Sequence, residues 1–224
     1  KNTGMRLGVL SCILSILILH SVAGGNYGVD FSTLITQTES NCFLQDGYIF
    51  SIARCWRSTG VFDVNCTQNI ANAKAAGMSV VDAYMFPCFP CGDPEGQMNS
   101  LVAGLDGVAN RVWLDIEIFE WSNNLTKNQI FIAVLIKTGQ AHDLTMGVYT
   151  SIHSWTEIVG TNWSFPSTQG LPLWYAHYDN DPSFSDFQPF GGWTTPTIKQ
   201  FQPDIDECDN NGQVDRDWSS SYGG

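Results

Sequence analysis

The sequence predicts a single irregular β/α barrel, an α/β fold with about eight strands and fewer helices than a regular barrel. Eight short β-rich runs recur along the chain, and helix-like segments stand between several of them. Eight is the number of strands that closes a small barrel. No linker rich in Pro, Ser or Gly divides the 224 residues, which indicates one domain.

The predicted elements alternate in the first two thirds of the chain. In chain order the predicted strands are 28–32, 48–55, 78–86, 111–117, 146–150, 172–178, 197–202 and 214–218. The predicted helices are 64–76, which ends at Gly77, then 97–109, and 125–141 with its apolar residues at helical spacing. Because the last three strands leave little room for helices, the pattern predicts an irregular TIM-like barrel. Sites in such barrels form at the C-terminal ends of the strands.

An apolar stretch near the start predicts a secretory signal peptide at 1–25, with Met5 as the initiator and the barrel domain at 26–224. The run 7–19 is too short to span a bilayer, and small residues follow it, with cleavage expected after Ala23 or Gly25. A signal anchor is the alternative. The signal peptide predicts a secreted or lumenal protein (extracellular, lysosomal or phagolysosomal) that does not insert into a membrane.

The cysteine count agrees with an oxidising compartment. Once Cys12 leaves with the signal peptide, six cysteines remain: Cys42, Cys55, Cys66, Cys88, Cys91 and Cys208. An even set suits three disulfides, and six cysteines allow 15 pairings between which the sequence does not choose. Cys88-Phe-Pro-Cys91 also has the spacing of a redox or zinc motif, but no second Cys-x-x-Cys accompanies it, which favours a disulfide within the loop. Three glycosylation acceptors, at Asn65, Asn124 and Asn162, are expected at the surface.

The charge of the chain argues against nucleic acid as a partner. The formal net charge is −12, and loss of Lys1 and Arg6 with the signal peptide would leave −14. Binding to nucleic acid depends on Lys and Arg that neutralise phosphates. Charged residues make up 14% of the chain, whereas eight Trp and thirteen Phe are many. These aromatic residues suit either stacking against sugar rings or a large hydrophobic core.

The segment 113–117, Trp-Leu-Asp-Ile-Glu, ends an apolar strand with two carboxylates. Alternation points Asp115 and Glu117 to the same face, with Cβ atoms about 6.5–7 Å apart for a rise of about 3.3 Å per residue. Hydrolysis of a glycosidic bond needs such a pair, one acid to protonate the leaving oxygen and one carboxylate to stabilise positive charge at the anomeric carbon. Asp-x-Glu also occurs on ordinary polar surfaces and among metal ligands, so other residues must decide.

Other predicted strand ends carry acids or aromatic residues in phase with this pair. They are Asp30 on the first strand, Asp82 and Tyr84 on the third, Trp174 and Tyr178 on the sixth, and Asp215 and Asp217 on the last. Acids that converge from four strands raise one another's pKa and need partners. Their convergence at one barrel mouth therefore indicates a functional site.

Five motifs in this order resemble glycoside hydrolase family 25. They are Gly28–Ser32, Trp113–Glu117, Gly147–Ser151, Leu173–Tyr178 and Gly212–Asp215, and together they cover nearly the whole chain after the signal peptide. The sequence is similar to the lysozymes of the secreted protist and nematode branch, in which cysteines are also frequent. The resemblance implies an irregular β/α barrel that hydrolyses the β-1,4 bond between N-acetylmuramic acid and N-acetylglucosamine in bacterial peptidoglycan.

The resemblance also implies roles for single residues. Glu117 is the expected general acid, and Asp115 its companion, which stabilises the oxocarbenium-like transition state or orients the N-acetyl group of the substrate. The expected substrate-binding residues are Asp30, Asp82, Tyr84, Tyr149, Trp174, Tyr178 and Asp215. For the aromatic lining, packing in the core is an equal alternative. The Cys88–Cys91 loop, Glu120-Trp121 and His177 differ from the family's pattern and bear on substrate range.

No cofactor and no catalytic metal are expected. His142, His153 and His177 lack ligand spacing, and the calcium-loop-like segment that begins at Asp209 has no Glu at its twelfth position. The expected partner is bacterial peptidoglycan, bound by a monomer. Two alternatives stay open: a barrel that binds peptidoglycan or chitin without cutting it, and a hydrolase of another N-acetylated glycan such as chitin.

Overall fold

The computed structural model describes residues 24–210 and 214–224. The signal peptide predicted at 1–25 therefore lies almost wholly outside the described residues. The strands are β1 (Asn26–Phe31), β2 (Tyr48–Arg57), β3 (Val61–Phe62), β4 (Val80–Met85), β5 (Val112–Asp115), β6 (Met146–Thr150), β7 (Leu173–Ala176), β8 (Ile198–Ile205) and β9 (Val214–Ser219). The helices are α1 (Gln37–Gln45), α2 (Cys66–Ala76), α3 (Pro94–Leu105), α4 (Leu125–Ala141), α5 (Ile152–Val159) and α6 (Phe165–Thr168).

Eight of these strands close into a barrel. Pairing runs from β1 through β2 and β4 to β9 and back to β1, and the short β3 pairs only with β2. All barrel strands are parallel to their neighbours except β9, which is antiparallel to both β8 and β1. A parallel crossover needs a dozen or more residues, and only 206–213 join β8 to β9, so β9 must run back. The predicted irregular β/α barrel is confirmed.

Local sequence signals explain where the helices begin and end. Thr36 and Glu39 form a reciprocal capping box at the start of α1. Gly77 adopts a left-handed conformation and ends α2 at the predicted residue, and α4 has the predicted bounds, with the Asn124 side chain as its N-cap. The helix predicted at 97–109 instead begins at Pro94, because the Asp93 side chain caps its first turn.

Aromatic side chains fill the interior of the barrel. Trp113 and Trp174 are almost fully buried there, with ring centroids 5.9 Å apart, and Tyr149 lies 4.3 Å from Trp174. Gly147 is required on β6, because a Cβ at this position would lie 2.4 Å from the Trp113 ring. A second, larger apolar cluster lies between the barrel strands and the helices. The barrel interior is therefore solid below its mouth.

Three disulfides join the six cysteines predicted to pair. They are Cys42–Cys208, Cys55–Cys66 and Cys88–Cys91. The first connects α1 to the segment after β8, 166 residues later in the chain. The prediction that Cys88 and Cys91 form a disulfide within their own loop is confirmed.

The predicted acceptor asparagines lie at or near the surface. Asn124 and Asn162 are exposed, and Asn65 is half-buried at the start of α2. Within residues 24–210 and 214–224, no helix combines the length and apolar character needed to cross a membrane.

Candidate active site

A small cavity of about 100 Å³ opens at the mouth of the barrel, where the parallel strands end. Its lining residues are Asp30, Tyr84, Asp115, Glu117, Tyr149, Trp174, Tyr178, Gln200 and Asp215. Eight of the nine predicted site residues therefore meet at one place. The surface has larger cavities, one of them of about 420 Å³, but four of the predicted site carboxylates converge at the small one.

The backbone around the acid pair is anchored to β6. Strand β5 ends at Asp115, two residues earlier than predicted. The Ile116 N–H donates to the Tyr149 carbonyl at 2.9 Å, and the Thr150 hydroxyl donates to the Ile116 carbonyl at 2.7 Å. Side chains thus continue to alternate between the two faces beyond the end of β5, and Asp115 and Glu117 both reach the cavity. The predicted common face of the two acids is confirmed.

Burial raises the pKa of both acids. The pKa of Asp115, which is 4% exposed, is raised well above its usual value first by burial and then by the charge of Glu117, against the opposing effect of Arg54. The pKa of Glu117 is raised by burial and by the charge of Asp215, and a side-chain interaction with the Tyr149 hydroxyl opposes this. Two crowded carboxyl groups in low dielectric retain a proton at pH values where an exposed acid has lost it.

Gln200 connects the remaining acids to the tyrosines. Its amide nitrogen donates to Asp30 at 2.7 Å and to Asp215 at 3.0 Å. Its carbonyl oxygen accepts hydrogen bonds from the hydroxyls of Tyr149 at 2.5 Å and Tyr178 at 2.8 Å. Sequence reasoning missed Gln200, although alternation in the predicted strand 197–202 leaves an amide facing the interior, where it needs partners.

Strand β9 delivers Asp215 to the mouth because it runs antiparallel. Its first residues, not its last, lie at the open end, and Asp215 stands in register with Asp30 at the end of β1. Burial raises the pKa of both acids, to a greater extent for Asp30, which also faces the charges of Asp217 and Asp215.

Asp82 does not line the cavity, and the expectation that it binds substrate there is corrected. It is fully buried below the mouth, and it accepts hydrogen bonds from the Trp113 indole at 2.7 Å and the Tyr222 hydroxyl at 2.5 Å. Burial raises its pKa to about 6. Asp217 is likewise fully buried and accepts a hydrogen bond from the Trp174 indole at 2.7 Å. Strand alternation correctly predicted that Asp82 and Tyr84 share a face of β4, but Asp82 lies one layer further from the barrel mouth than Tyr84.

The aromatic residues of the lining divide into two groups. Trp174 and Tyr149 are 1% and 5% exposed, so their rings mainly pack in the barrel interior. Tyr178 is 50% exposed and Tyr84 is half-buried, so these two present ring surface at the mouth. Stacking on a sugar ring is therefore open to Tyr178 and Tyr84, whereas core packing accounts for Trp174.

A second group of polar residues lies at the end of β7. His177, Asp179 and Asp186 offer ligand atoms within 4.8 Å of one another. The buried Lys199 ammonium donates to Asp179 at 2.7 Å and to Asp186 at 2.8 Å. The lysine already supplies the positive charge that these carboxylates need, so the cluster is an ion-pair network.

Comparisons with known proteins agree with this geometry. Residues 21–201 match the family model described as Lysozyme-like protein 1. "Probable GH family 25 lysozyme 2" of Dictyostelium discoideum is 40% identical over 202 residues, which cover 89% of this chain and 94% of the relative. "Lysozyme-like protein 5" of Caenorhabditis elegans is 31% identical over 194 residues, 84% of this chain and 89% of that one. The crystal structure of a lysozyme from Streptomyces coelicolor, 21% identical, shares the fold with a TM-score of 0.73 over 89% of this chain and 94% of that one.

The fold, the relatives and the acid-lined mouth define a glycoside hydrolase. More closely, the chain belongs to the family 25 lysozymes, with relatives in a protist and a nematode. The family resemblance predicted from the five motifs is confirmed.

Proposed function

We propose that this chain hydrolyses the β-1,4 bond between N-acetylmuramic acid and N-acetylglucosamine in bacterial peptidoglycan, and that it is bacteriolytic. The observation that carries the proposal is the pairing of Asp115 and Glu117 at the barrel mouth, both buried and both with a raised pKa. Its relatives, which are named as lysozymes or lysozyme-like proteins, support the same substrate.

Glu117 is the proposed general acid. It lies on the exposed side of the pair, with Ile118 beyond it already half-exposed, so a glycosidic oxygen can reach its carboxyl group. Burial and the negative charge of Asp215 raise its pKa and so favour its protonated form. A protonated carboxyl group can then donate to the leaving oxygen as the bond breaks.

Asp115 is the proposed companion of Glu117. One of its oxygens, Oδ1, is buried without a hydrogen-bond partner among the described residues, although the side chain lines the cavity. That oxygen is available to a donor on the substrate, such as the N–H of an N-acetyl group. Burial raises the pKa of Asp115 in the free protein, but positive charge that develops at the anomeric carbon favours its ionised form, and the carboxylate stabilises that charge in return.

We propose that polar side chains at the mouth bind the sugar through hydrogen bonds. They are Asp30, Asp215 and Gln200, with Tyr84, Tyr149 and Tyr178 beside them. A cavity of about 100 Å³ is smaller than the 300–1,000 Å³ of typical small-molecule pockets. A polysaccharide therefore fits best if it lies across the mouth and inserts only one group. Tyr178, half-exposed at the rim, offers a ring face for this contact.

The remaining proposals concern the cellular context. We propose a secretory signal at 1–25, a barrel domain at 26–224, and a secreted or lumenal monomer. Three disulfides support an oxidising compartment, and the exposed Asn124 and Asn162 are suitable glycan acceptors. The net charge of −12 supports a partner other than nucleic acid.

The test is mass spectrometry of the fragments released from purified peptidoglycan by the wild-type protein and by Glu117→Gln. The expected result is fragments with reducing muramic acid ends from the wild type alone. Reducing glucosamine ends would identify a different bond and contradict the proposal. Sedimentation with peptidoglycan without any release would instead support a non-catalytic binding barrel, and release from chitin alone would indicate another N-acetylated substrate.

A further inference from the structure

The general acid stands in a turn that strand pairing does not support. The last backbone contacts to β6 are those of Ile116. Beyond it Ile118 and Phe119 are 52% and 55% exposed, and no regular secondary structure begins again until α4. The position of Glu117 therefore depends on whatever holds the turn at 117–121.

One hydrogen bond closes this turn. The indole N–H of Trp121 donates to the backbone carbonyl of Glu117 at 2.7 Å. Because the indole is rigid, fixing its ring fixes the peptide plane of Glu117 and with it the direction in which the side chain leaves the backbone. The bond acts on the backbone only, so it leaves the carboxyl group free to react.

The Trp121 ring is itself held by two phenylalanines. Its ring centroid lies 5.5 Å from Phe89 and 6.0 Å from Phe131 on α4, and the two phenylalanine rings lie 5.2 Å apart. These separations are in the range of favourable aromatic pairs. Phe89 and Phe131 thus both pack against Trp121 and against each other.

Phe89 lies inside the loop closed by the Cys88–Cys91 disulfide. The buried side chain of Gln97 on α3 fixes the same loop, because its amide donates to the carbonyls of Cys88 at 2.8 Å and Gly92 at 2.6 Å. Its carbonyl oxygen accepts from the Cys88 N–H at 2.9 Å. A loop of four residues is thereby tied at both ends to a helix that is part of the core.

We propose that Trp121 is a positioning residue for Glu117, and that Phe89 in the disulfide-closed loop is its support. This inference rests on the proposed role of Glu117 as general acid. It gives the Cys-Phe-Pro-Cys loop and Trp121, two departures from the family's pattern, a common purpose. Together they replace strand pairing at Glu117, which lies beyond the end of β5 and is the proposed proton donor.

The first test is Trp121→Phe, which keeps an aromatic ring and removes the donor. We expect kcat on soluble peptidoglycan chains to fall about tenfold or more, because small misplacements of a reacting group cost up to 10²-fold, while KM stays within about twofold. The matched control is Trp163→Phe. Trp163 is also half-buried against aromatic rings but does not line the cavity, and its replacement should leave kcat unchanged.

The second test is the double variant Trp121→Phe with Glu117→Gln. If Trp121 acts through Glu117, the double variant is no slower than Glu117→Gln alone, because no acid is left to position. If the two substitutions instead lower kcat by factors that multiply in the double variant, the inference is overturned. It is also overturned if Trp121→Phe keeps the wild-type kcat while Glu117→Gln is inactive. Wild-type activity of Glu117→Gln would instead overturn the proposed general acid, so the two failures are distinguishable.

Phe89→Leu keeps the test decisive if Trp121→Phe does not fold. It retains an apolar side chain in the loop and removes the ring contact with Trp121. The expected result is a smaller fall in kcat, about threefold to tenfold, at nearly constant KM. A folded Phe89→Leu protein with wild-type kcat, or one in which only KM changes, would overturn the role of the loop as a support.

Discussion

The barrel interior holds two layers of acids that differ in their access to the cavity. The deep pair, Asp82 and Asp217, is fully buried beneath indole rings that donate to it at 2.7 Å. The mouth cluster, Asp30, Asp115, Glu117 and Asp215, lines the open cavity. Burial raises the pKa of acids in both layers, and that of Asp82 reaches about 6, a value suitable for a general acid. A raised pKa therefore does not identify a catalytic acid unless substrate can reach it.

The largest effect is expected for Glu117→Gln in the mouth cluster. The amide keeps the shape of the side chain but carries no proton of suitable acidity, and loss of a general acid typically costs 10²–10⁴-fold in rate. Release of reducing ends from purified peptidoglycan measures the rate, and the melting temperature should stay close to that of the wild type. Clearance of bacterial walls at the wild-type rate would contradict the assignment.

Asp115→Asn is expected to cost about 10²–10³-fold, because the developing positive charge loses its nearest negative partner. The amide is nearly isosteric with the carboxylate, so the fold should persist. The same assay measures the loss, and circular dichroism controls for folding. An active Asp115→Asn protein would show that Asp115 does not stabilise the transition state, although its pKa is raised.

The stability of the wild type should fall as pH rises from about 4 to about 7. A raised pKa means that the folded protein holds a proton that the unfolded chain has released, so stability is full below the unfolded pKa and declines as pH passes the folded one. For Asp82, the rise from 3.8 to about 6 corresponds to about 3 kcal/mol at 1.4 kcal/mol per unit. The pKa of Asp186 is lowered to about 2, so its contribution to stability is lost as pH falls. This loss occurs at a lower pH than the loss from Asp82.

Urea unfolding at several pH values measures this dependence, with Asp82→Asn as the matched control. The amide cannot ionise, so the slope of unfolding free energy against pH should be flatter in the variant. Equal slopes in the two proteins would show that Asp82 does not contribute to the dependence.

The smallest effect is expected for Asp82→Asn on activity. The same substitution that inactivates the protein at Asp115 should leave the rate within about threefold of wild type at Asp82, because the deep pair does not touch substrate. The amide oxygen still accepts from Trp113 and Tyr222. A loss of 10²-fold without a loss of stability would place Asp82 among the functional acids and remove the distinction between the layers.

The sequence predicted best what depends on periodicity and caps. The bounds of α4 and β6 were right, because helical spacing defines the helix and the strand-favouring residues Val148, Tyr149 and Thr150 define the strand. Strand alternation placed Asp115 and Glu117 on one face even though β5 ends at Asp115. Helix α1 was missed because it is short and polar, although its capping box was a usable signal.

Other features depend on contacts between distant residues. Alternation is the same in either direction, so the short connection before β9, and not the sequence of the strand itself, indicates its antiparallel course. The partner of Cys42 lies 166 residues away, and depth along a strand separates Asp82 from Tyr84, two residues apart on one face. Gln200 carries no charge, and only its four hydrogen bonds reveal its place in the site.

The antiparallel closing strand has a consequence for biosynthesis. Strand β9 is the last barrel strand to leave the ribosome, yet it pairs with β1 and supplies Asp215 beside Asp30. The nascent chain can form helices and inner strands early, but it can neither seal the barrel nor assemble the complete acid cluster until residues 214–219 have emerged. Closure of Cys42 with Cys208 must also await the late segment. The complete acid cluster therefore cannot form before the last barrel strand has been synthesised.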